Sequence, residues 1–161
     1  MKGQIQVVSG RFVGHGAYKN YAQGGPITIY ESVRFAGDDG RDVFLENVVA
    51  PEIVCSYAPI NTTGKFYIAE VVMPTFFFGT GKVYCLFAVE VGGRTIEGVE
   101  RVAKQVNTSR LVQAVQAFIG GIPGMFIFGL GLLIWWYALR LLSVKVPERE
   151  MREALKQGGG V

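Results

Sequence analysis

Residues 111–139 read LVQAVQAFIGGIPGMFIFGLGLLIWWYAL, a run of apolar and small residues that contains no charged side chain. A helix of about 20 apolar residues is long enough to cross the roughly 30 Å hydrocarbon core of a bilayer. A buried helix of a globular protein rarely carries large apolar side chains around its whole circumference over such a length. The run therefore predicts a transmembrane helix, placed at residues 120–143, with the lipid bilayer as its partner.

Glycine and proline interrupt this run at GGIPG, residues 120–124. One interpretation places a membrane-proximal amphipathic helix or linker at 101–119, before the crossing helix. A second has one continuous helix that begins at about Val99 and is kinked at Pro123, because helices in lipid tolerate proline. A third bends the chain at GGIPG into a shallow re-entrant hairpin whose two ends are both cytosolic.

The C-terminal end of the run has the composition of a membrane interface. Aromatic side chains are enriched at the level of the head groups, and an arginine shifts a helix until its charge reaches them. The predicted interface anchor consists of Trp135, Trp136, Tyr137 and Arg140. Gly120 and Gly124 have the four-residue spacing at which transmembrane helices approach closely, so they are the predicted helix-packing residues and the basis for a predicted homo-oligomer.

The charges that flank the run do not give an orientation. Four basic residues lie between 94 and 110 and five lie between 140 and 156, whereas the positive-inside rule needs an excess on one side. The opening residues MKGQIQVVSGRF lack the apolar stretch of a signal sequence, so the N-terminal domain is expected in the cytosol at a bacterial inner membrane. Residues 144–161 are predicted to form a short charged tail.

Residues 1–100 have the pattern of strands separated by turns. Apolar and polar residues alternate over 27–35, and Asp38, Asp39 and Gly40 provide a tight turn into the next strand. Further glycine turns give about six strands with no helix between them, so the strand pairs are expected to be antiparallel. The predicted fold is mainly β, a small antiparallel β-barrel or sandwich.

A five- or six-stranded barrel of this length, curved at internal glycines such as Gly10 and Gly14, resembles an OB-fold. The order of barrel and membrane anchor is similar to that of NfeD-type proteins. This resemblance covers strand number and domain order over residues 1 to about 100. It rests on no motif, so it implies no functional residue.

The stretch VVMPTFFF, residues 71–78, places three phenylalanines directly after a proline. Adjacent side chains on a strand point to opposite faces, so three in a row cannot all enter one core. Pro74 also favours a strand edge or a loop. Phe76, Phe77 and Phe78 are therefore predicted to contact a partner or the membrane. The alternative is a barrel strand whose second face is covered by the membrane-proximal helix.

The side chains of enzyme sites are sparse. The chain has one histidine and two cysteines, and no paired carboxylates, Ser-His-Asp set or metal-ligand spacing can be assigned. His15 is expected to be a solvated loop residue, and Cys55 and Cys85 are expected to be buried in strands. The sequence predicts a protein that is not an enzyme and has no cofactor or metal.

The expected function is a membrane-anchored protein-binding or scaffold module, a subunit of a membrane-associated assembly. The alternative is a membrane-associated immunity or defence-system protein that binds a membrane-embedded partner. Nucleic acid is not an expected partner, because residues 1–110 carry eleven basic and ten acidic side chains and offer no excess of positive charge.

Overall fold

The computed structural model describes residues 4–21, 27–74, 80–124 and 130–158. With 46% strand and 39% helix, it confirms the mainly β prediction. In chain order the elements are β1 (Ile5–His15), β2 (Tyr18–Tyr21), β3 (Ile27–Gly37), β4 (Asp42–Pro51), α1 (Glu52–Tyr57), β5 (Thr63–Pro74), β6 (Thr80–Val91), β7 (Arg94–Glu97), α2 (Val99–Gly124), α3 (Leu130–Leu142) and α4 (Glu148–Gly158).

Five strands close into a ring, in the order β1, β5, β6, β4, β3 and back to β1. Four of the five ring pairs are antiparallel. The pair of β4 and β6 is parallel, with Val48 opposite Tyr84 and Val49 opposite Cys85. The prediction of antiparallel pairs alone is therefore wrong here. After β4 the chain passes through α1 to β5, which pairs with β1 in a Greek-key path. The chain then turns back along β6, which lies beside β4 and runs in the same direction.

Strand β1 pairs with both β3 and β5, and it changes from one partner to the other at Gly10. This residue lies opposite Gly37 of β3 and Gly64 of β5. Its φ of +156° is unfavourable for other residues, and a Cβ here would collide with the carbonyl oxygen of Ala36. Gly14 lies at the register shift that follows Phe12.

The interior of the ring is filled by large apolar side chains. The rings of Phe35 and Phe66 lie 4.7 Å apart, and both side chains are at most 1% exposed. The short helix α1 adds the fully buried Val54 to this core. Sequence reasoning missed α1 and placed Cys55 on a strand, because its residues EIVCSY include strand-favouring types and tertiary packing decides their conformation.

A second apolar core lies outside the ring, where β5 and β6 meet α2 and α4. Val102 of α2 and Met151 of α4 are fully buried there against Tyr67 and Phe87. The predicted charged tail therefore includes a helix that packs on the barrel rather than a solvated segment. An ion pair joins the same two helices, since the guanidinium of Arg152 on α4 lies 3.0 Å from the carboxylate of Glu100 on α2.

The apolar run of residues 111–139 is divided between two helices. α2 continues through GGIPG to Gly124, with Pro123 in its last turn. The membrane-proximal amphipathic helix or linker predicted at 101–119 is helical throughout as part of α2, and the single transmembrane helix predicted at 120–143 is not present as one helix. Among the described residues, no helix is long and apolar enough to span a membrane.

Candidate functional site

α2 and α3 pack against each other as a helical hairpin that extends from the barrel. Phe118 contacts Trp135, and the position of Gly121 lies beside Gly131, so later residues of α2 meet earlier residues of α3. This order makes the two helices antiparallel. We use the name helical hairpin for residues 111–124 and 130–142.

Small residues fill the contact between the two helices. Ala114 and Gly121 on α2, and Gly131 and Ala138 on α3, are all buried and are spaced seven residues apart on each helix. We call these four residues the small-residue seam. A Cβ at Gly121 would collide with the Trp135 ring, so the close approach of the helices requires glycine there. Sequence reasoning missed this seam, although its seven-residue repeat was visible.

The large apolar side chains of the helical hairpin point away from the seam. Ile119 and Leu132 are 63% and 62% exposed, and they belong to a larger set of exposed apolar side chains on the hairpin. Other large side chains that are at least 41% exposed are Leu111, Val112, Val115, Ile122, Leu133, Trp136, Leu139 and Leu142. The hairpin is thus small inside and large and apolar outside, which is the arrangement that lipid-exposed helices favour.

The predicted helix-packing glycines, Gly120 and Gly124, lie near the end of α2. Among the described residues, nothing lies within 4 Å of the position where a Cβ of Gly120 would stand, so Gly120 does not mediate the contact between α2 and α3. The glycine that lies in this contact is the neighbouring Gly121. Packing of Gly120 and Gly124 between two copies of the chain stays a prediction.

The predicted interface anchor is divided between two sides of α3. Trp135 turns inward, and its Nε1 donates a hydrogen bond to the carbonyl oxygen of Phe118 at 3.2 Å. Trp136 is 44% exposed, and the guanidinium of Arg140 lies 5.3 Å from its ring centroid. Tyr137 is half-buried. Because consecutive residues on a helix point about 100° apart, the three aromatic side chains face different sides of α3 at nearly the same level, and their role as an interface anchor stays a prediction.

The base of the hairpin meets the end of the β5–β6 pair around a cavity of about 360 Å³, which we call the base cavity. It is lined on the helical side by Arg140, Ser143 and Lys145, and on the strand side by Pro74 and Thr80. Phe76, Phe77 and Phe78 lie in residues 75–79, outside the described residues, so their contact role stays a prediction. The described residues on either side of them, Pro74 and Thr80, line this cavity.

The barrel has an exposed aromatic surface of its own. The ring of His15 lies 4.8 Å from that of Tyr30 and meets Tyr18 edge-on at 5.4 Å. Tyr18 and Phe44 are 55% and 60% exposed, and a shallow groove of about 340 Å³ joins His15 to Phe44. His15 was expected to be a solvated loop residue, but it ends β1 and belongs to an aromatic cluster. We call His15, Tyr18, Tyr30 and Phe44 the aromatic surface.

The two thiols are held in their protonated form by burial. Desolvation raises the pKa of Cys85 to about 12 and also raises the pKa of Cys55. A thiolate is therefore scarce at neutral pH, and nucleophilic chemistry is not favoured at either residue. Within the part of the chain that the structure describes, no three His, Cys, Asp or Glu side chains are grouped to hold a metal ion.

The chain matches no protein-family model, no curated protein and no solved structure. The function of these surfaces is therefore inferred from their geometry and chemistry.

Proposed function

We propose that this chain is a non-enzymatic, membrane-anchored protein-binding module. Its helical hairpin enters the bilayer and holds the barrel at the membrane surface, as a subunit of a membrane-associated assembly. The observation that supports this most strongly is the packing of the hairpin, with Gly121 and Ala138 inside and Ile119 and Leu132 outside. Lipid solvates large apolar side chains, whereas water does not.

The length of the hairpin supports entry from one side. At 1.5 Å per residue, the arm of α2 at 111–124 is about 21 Å long and the 13 residues of α3 extend about 20 Å, compared with a hydrocarbon core of about 30 Å. The start of the α2 arm and the end of α3 both meet the barrel, at Gln113 and Arg140 respectively. We therefore favour the re-entrant hairpin among the three interpretations of the apolar run.

This topology accounts for the flanking charges. In a re-entrant hairpin the four basic residues between 94 and 110 and the five between 140 and 156 lie on the same side of the bilayer, so no excess on one flank is needed. All of them then follow the positive-inside rule together. We propose that the barrel and both flanks lie in the cytosol, at a bacterial inner membrane.

The proposed protein-binding surface lies on the barrel. A five-stranded Greek-key ring is typical of an OB-type barrel, which uses the outer surface of its strands and the adjoining loops for binding. The aromatic surface lies on β1, β3 and β4 of this ring and on the adjoining β2, and it exposes Tyr18 and Phe44. Exposed aromatic side chains are enriched at protein interfaces, where they bury a large area at low entropic cost.

Insertion of the hairpin is tested by placing a charge on its outer surface. The full chain is synthesised in a cell-free system with phosphatidylcholine vesicles, which are then floated on a density gradient. Ile119→Asp and Leu132→Asp are each expected to reduce flotation strongly, because an aspartate at mid-bilayer costs about 2.5 to 3.5 kcal/mol. Ile60→Asp is the matched control, since Ile60 is 51% exposed and lies outside the hairpin.

The native chain and Ile60→Asp are expected to float equally. Flotation of all variants alike would refute insertion through the hairpin. A native chain that stays with the aqueous fraction as a defined oligomer would show that a second protein surface, rather than lipid, covers Ile119 and Leu132.

Protein binding is tested by a photo-crosslinking residue placed at Phe44 in cells. A discrete crosslinked protein is expected at this position and not at Asp39, an exposed residue of the β3–β4 turn. Loss of that product when Tyr18 is replaced by alanine would tie it to the aromatic surface. Identical products at Phe44 and Asp39 would contradict a specific interface.

A further inference from the structure

We propose that a cavity between α2 and the outer face of the barrel binds a neutral glycerolipid with free hydroxyl groups, of the monoacylglycerol type. The cavity has a volume of about 330 Å³, within the roughly 300 to 1,000 Å³ of small-ligand sites, and we call it the outer cavity. Entry of the lipid from the bilayer rests on the proposed insertion of the helical hairpin. Binding itself rests on the side chains that line the cavity.

The outer cavity adjoins the second apolar core, where α2 packs on the sheet. It is lined by five apolar side chains, those of Ile29, Val49, Met73, Val83 and Val106. Met73, Val83 and Val106 also belong to that core. Because a hydrocarbon chain placed against these side chains leaves water, the cavity favours a ligand with an apolar part.

The helical side of the outer cavity is polar and uncharged. Gln105, Ser109 and Gln113 line it, and their spacing of four residues places them on one face of α2. Asn47 adds a further amide from β4. Amides and hydroxyls both donate and accept hydrogen bonds, so a head group that bears hydroxyls matches this side.

One of these side chains holds a buried acceptor that lacks a donor. The oxygen Oε1 of Gln105 is shielded from solvent and has no hydrogen-bond partner in the part of the chain that the structure describes. A buried amide oxygen without a partner costs free energy, and nearly all such atoms in folded proteins have one. The last torsion of a glutamine is broad, so the amide turns easily toward the cavity. A hydroxyl of a bound lipid then supplies the missing donor.

The charge at the outer cavity is already balanced. Lys82 is the one charged side chain among the described residues that line it, and its Nζ lies 3.1 Å from Oε1 of Glu70. A fatty-acid anion or a phosphate would bring a charge for which this lining offers no further partner. We therefore favour a neutral lipid over a charged one.

The outer cavity reaches the start of the helical hairpin. Gln113 is exposed and lies within the uncharged run that begins at Leu111, whereas Gln105 is half-buried two turns earlier. When the hairpin is inserted, this part of α2 lies at the bilayer surface. A lipid then enters the cavity from the membrane without passing through water.

Photolabelling measures binding to the outer cavity directly. The detergent-solubilised full chain is illuminated with monolauroylglycerol that carries a diazirine at the end of its chain, and labelled peptides are identified by mass spectrometry. Label is expected in the segments that line the cavity, 81–83 and 105–113. Unlabelled monolauroylglycerol is then compared as a competitor with methyl laurate, which has the same chain and no donor. The ratio of their competing concentrations defines the hydroxyl preference.

Gln105→Leu removes the acceptor and is expected to lower the hydroxyl preference about fivefold, the effect of one hydrogen bond. The fold is expected to remain, because leucine has a similar size and leaves no buried oxygen unpaired. Gln116→Leu is the matched control, since Gln116 is exposed on α2 and does not line the cavity. This control is expected to change the preference by less than about twofold. The same preference in the native chain and both variants would overturn the proposal.

A second variant tests the cavity itself. Ser109→Phe places a ring into the outer cavity from the half-buried position of Ser109 and is expected to remove most of the label from both segments. Far-UV circular dichroism checks that the fold is retained. Labelling at the native level would overturn the outer cavity as the site.

Glycerol distinguishes a lipid from a soluble polyol. Failure of glycerol to compete supports a lipid ligand, whereas full competition would overturn it in favour of a soluble one. Absence of label, together with normal flotation on phosphatidylcholine vesicles, would refute the site and leave hairpin insertion standing. A hydroxyl preference that persists in a chain that does not float would support the site and refute the proposed function.

Discussion

The barrel and the helical hairpin use the same apolar residue types in opposite places. Inside the ring, Phe35 and Phe66 are at most 1% exposed, while charged side chains such as Arg34 face outward. In the hairpin the buried positions of the small-residue seam lie beside the contact of Phe118 with Trp135, and Leu132 is 62% exposed. The hydrophobic effect therefore organises the barrel, whereas close backbone packing organises the hairpin.

The largest expected difference is in what a large apolar side chain contributes to folding. Phe66→Ala is expected to lower the free energy of unfolding by about 3 to 5 kcal/mol, because it leaves a cavity beside Phe35. Leu132→Ala removes a side chain that packs on little protein, so a loss below about 0.5 kcal/mol is expected. Urea titration of the detergent-solubilised chain, followed by far-UV circular dichroism, measures both. Equal losses would show that Leu132 lies in a protein core.

A smaller effect is expected within the seam. Gly121→Ala forces a methyl group against the ring of Trp135 and is expected to cost about 1 to 3 kcal/mol, as overpacking does. Gly120→Ala is the control next to it, and it is expected to stabilise α2 by up to about 1 kcal/mol because alanine is the better helix former. Thermal unfolding followed by tryptophan emission distinguishes them. A destabilising Gly120→Ala and a neutral Gly121→Ala would place the helix contact on the predicted glycine instead.

Much of the barrel was predictable because its signals are local. The strand β3 and the turn at Asp38 to Gly40 depend on neighbouring residues alone, and both are confirmed. The alternation of burial is clear over Val33 to Phe35, whereas Thr28 is buried and Ile29 is half-buried. The parallel pair of β4 and β6 was not predictable in this way, since it depends on how the whole chain closes the ring. The helix α1 was missed for the same reason, because its six residues are helical through their position over the end of the barrel.

For the hairpin, prediction from the sequence is limited in a different way. Composition identified residues 111–139 as a segment that avoids water, but it does not state whether the segment crosses, lies flat or turns back. That choice depends on Gly121 meeting Trp135, a contact between residues fourteen positions apart. The base cavity was likewise beyond the sequence, because it joins Thr80 of β6 to Arg140 and Lys145, which are about sixty residues away.

The decisive measurement is the side of the membrane on which the two flanks of the hairpin lie. Single cysteines are introduced at Lys104, before the hairpin, and at Arg149, after it; both positions are exposed. The background carries Cys55→Ala, and Cys85 is fully buried. Sealed vesicles of either orientation are then treated with a membrane-impermeant maleimide.

A re-entrant hairpin predicts that both cysteines react from the same side, in inverted vesicles and not in right-side-out vesicles. Labelling of the two positions from opposite sides would contradict the hairpin topology and establish a single crossing.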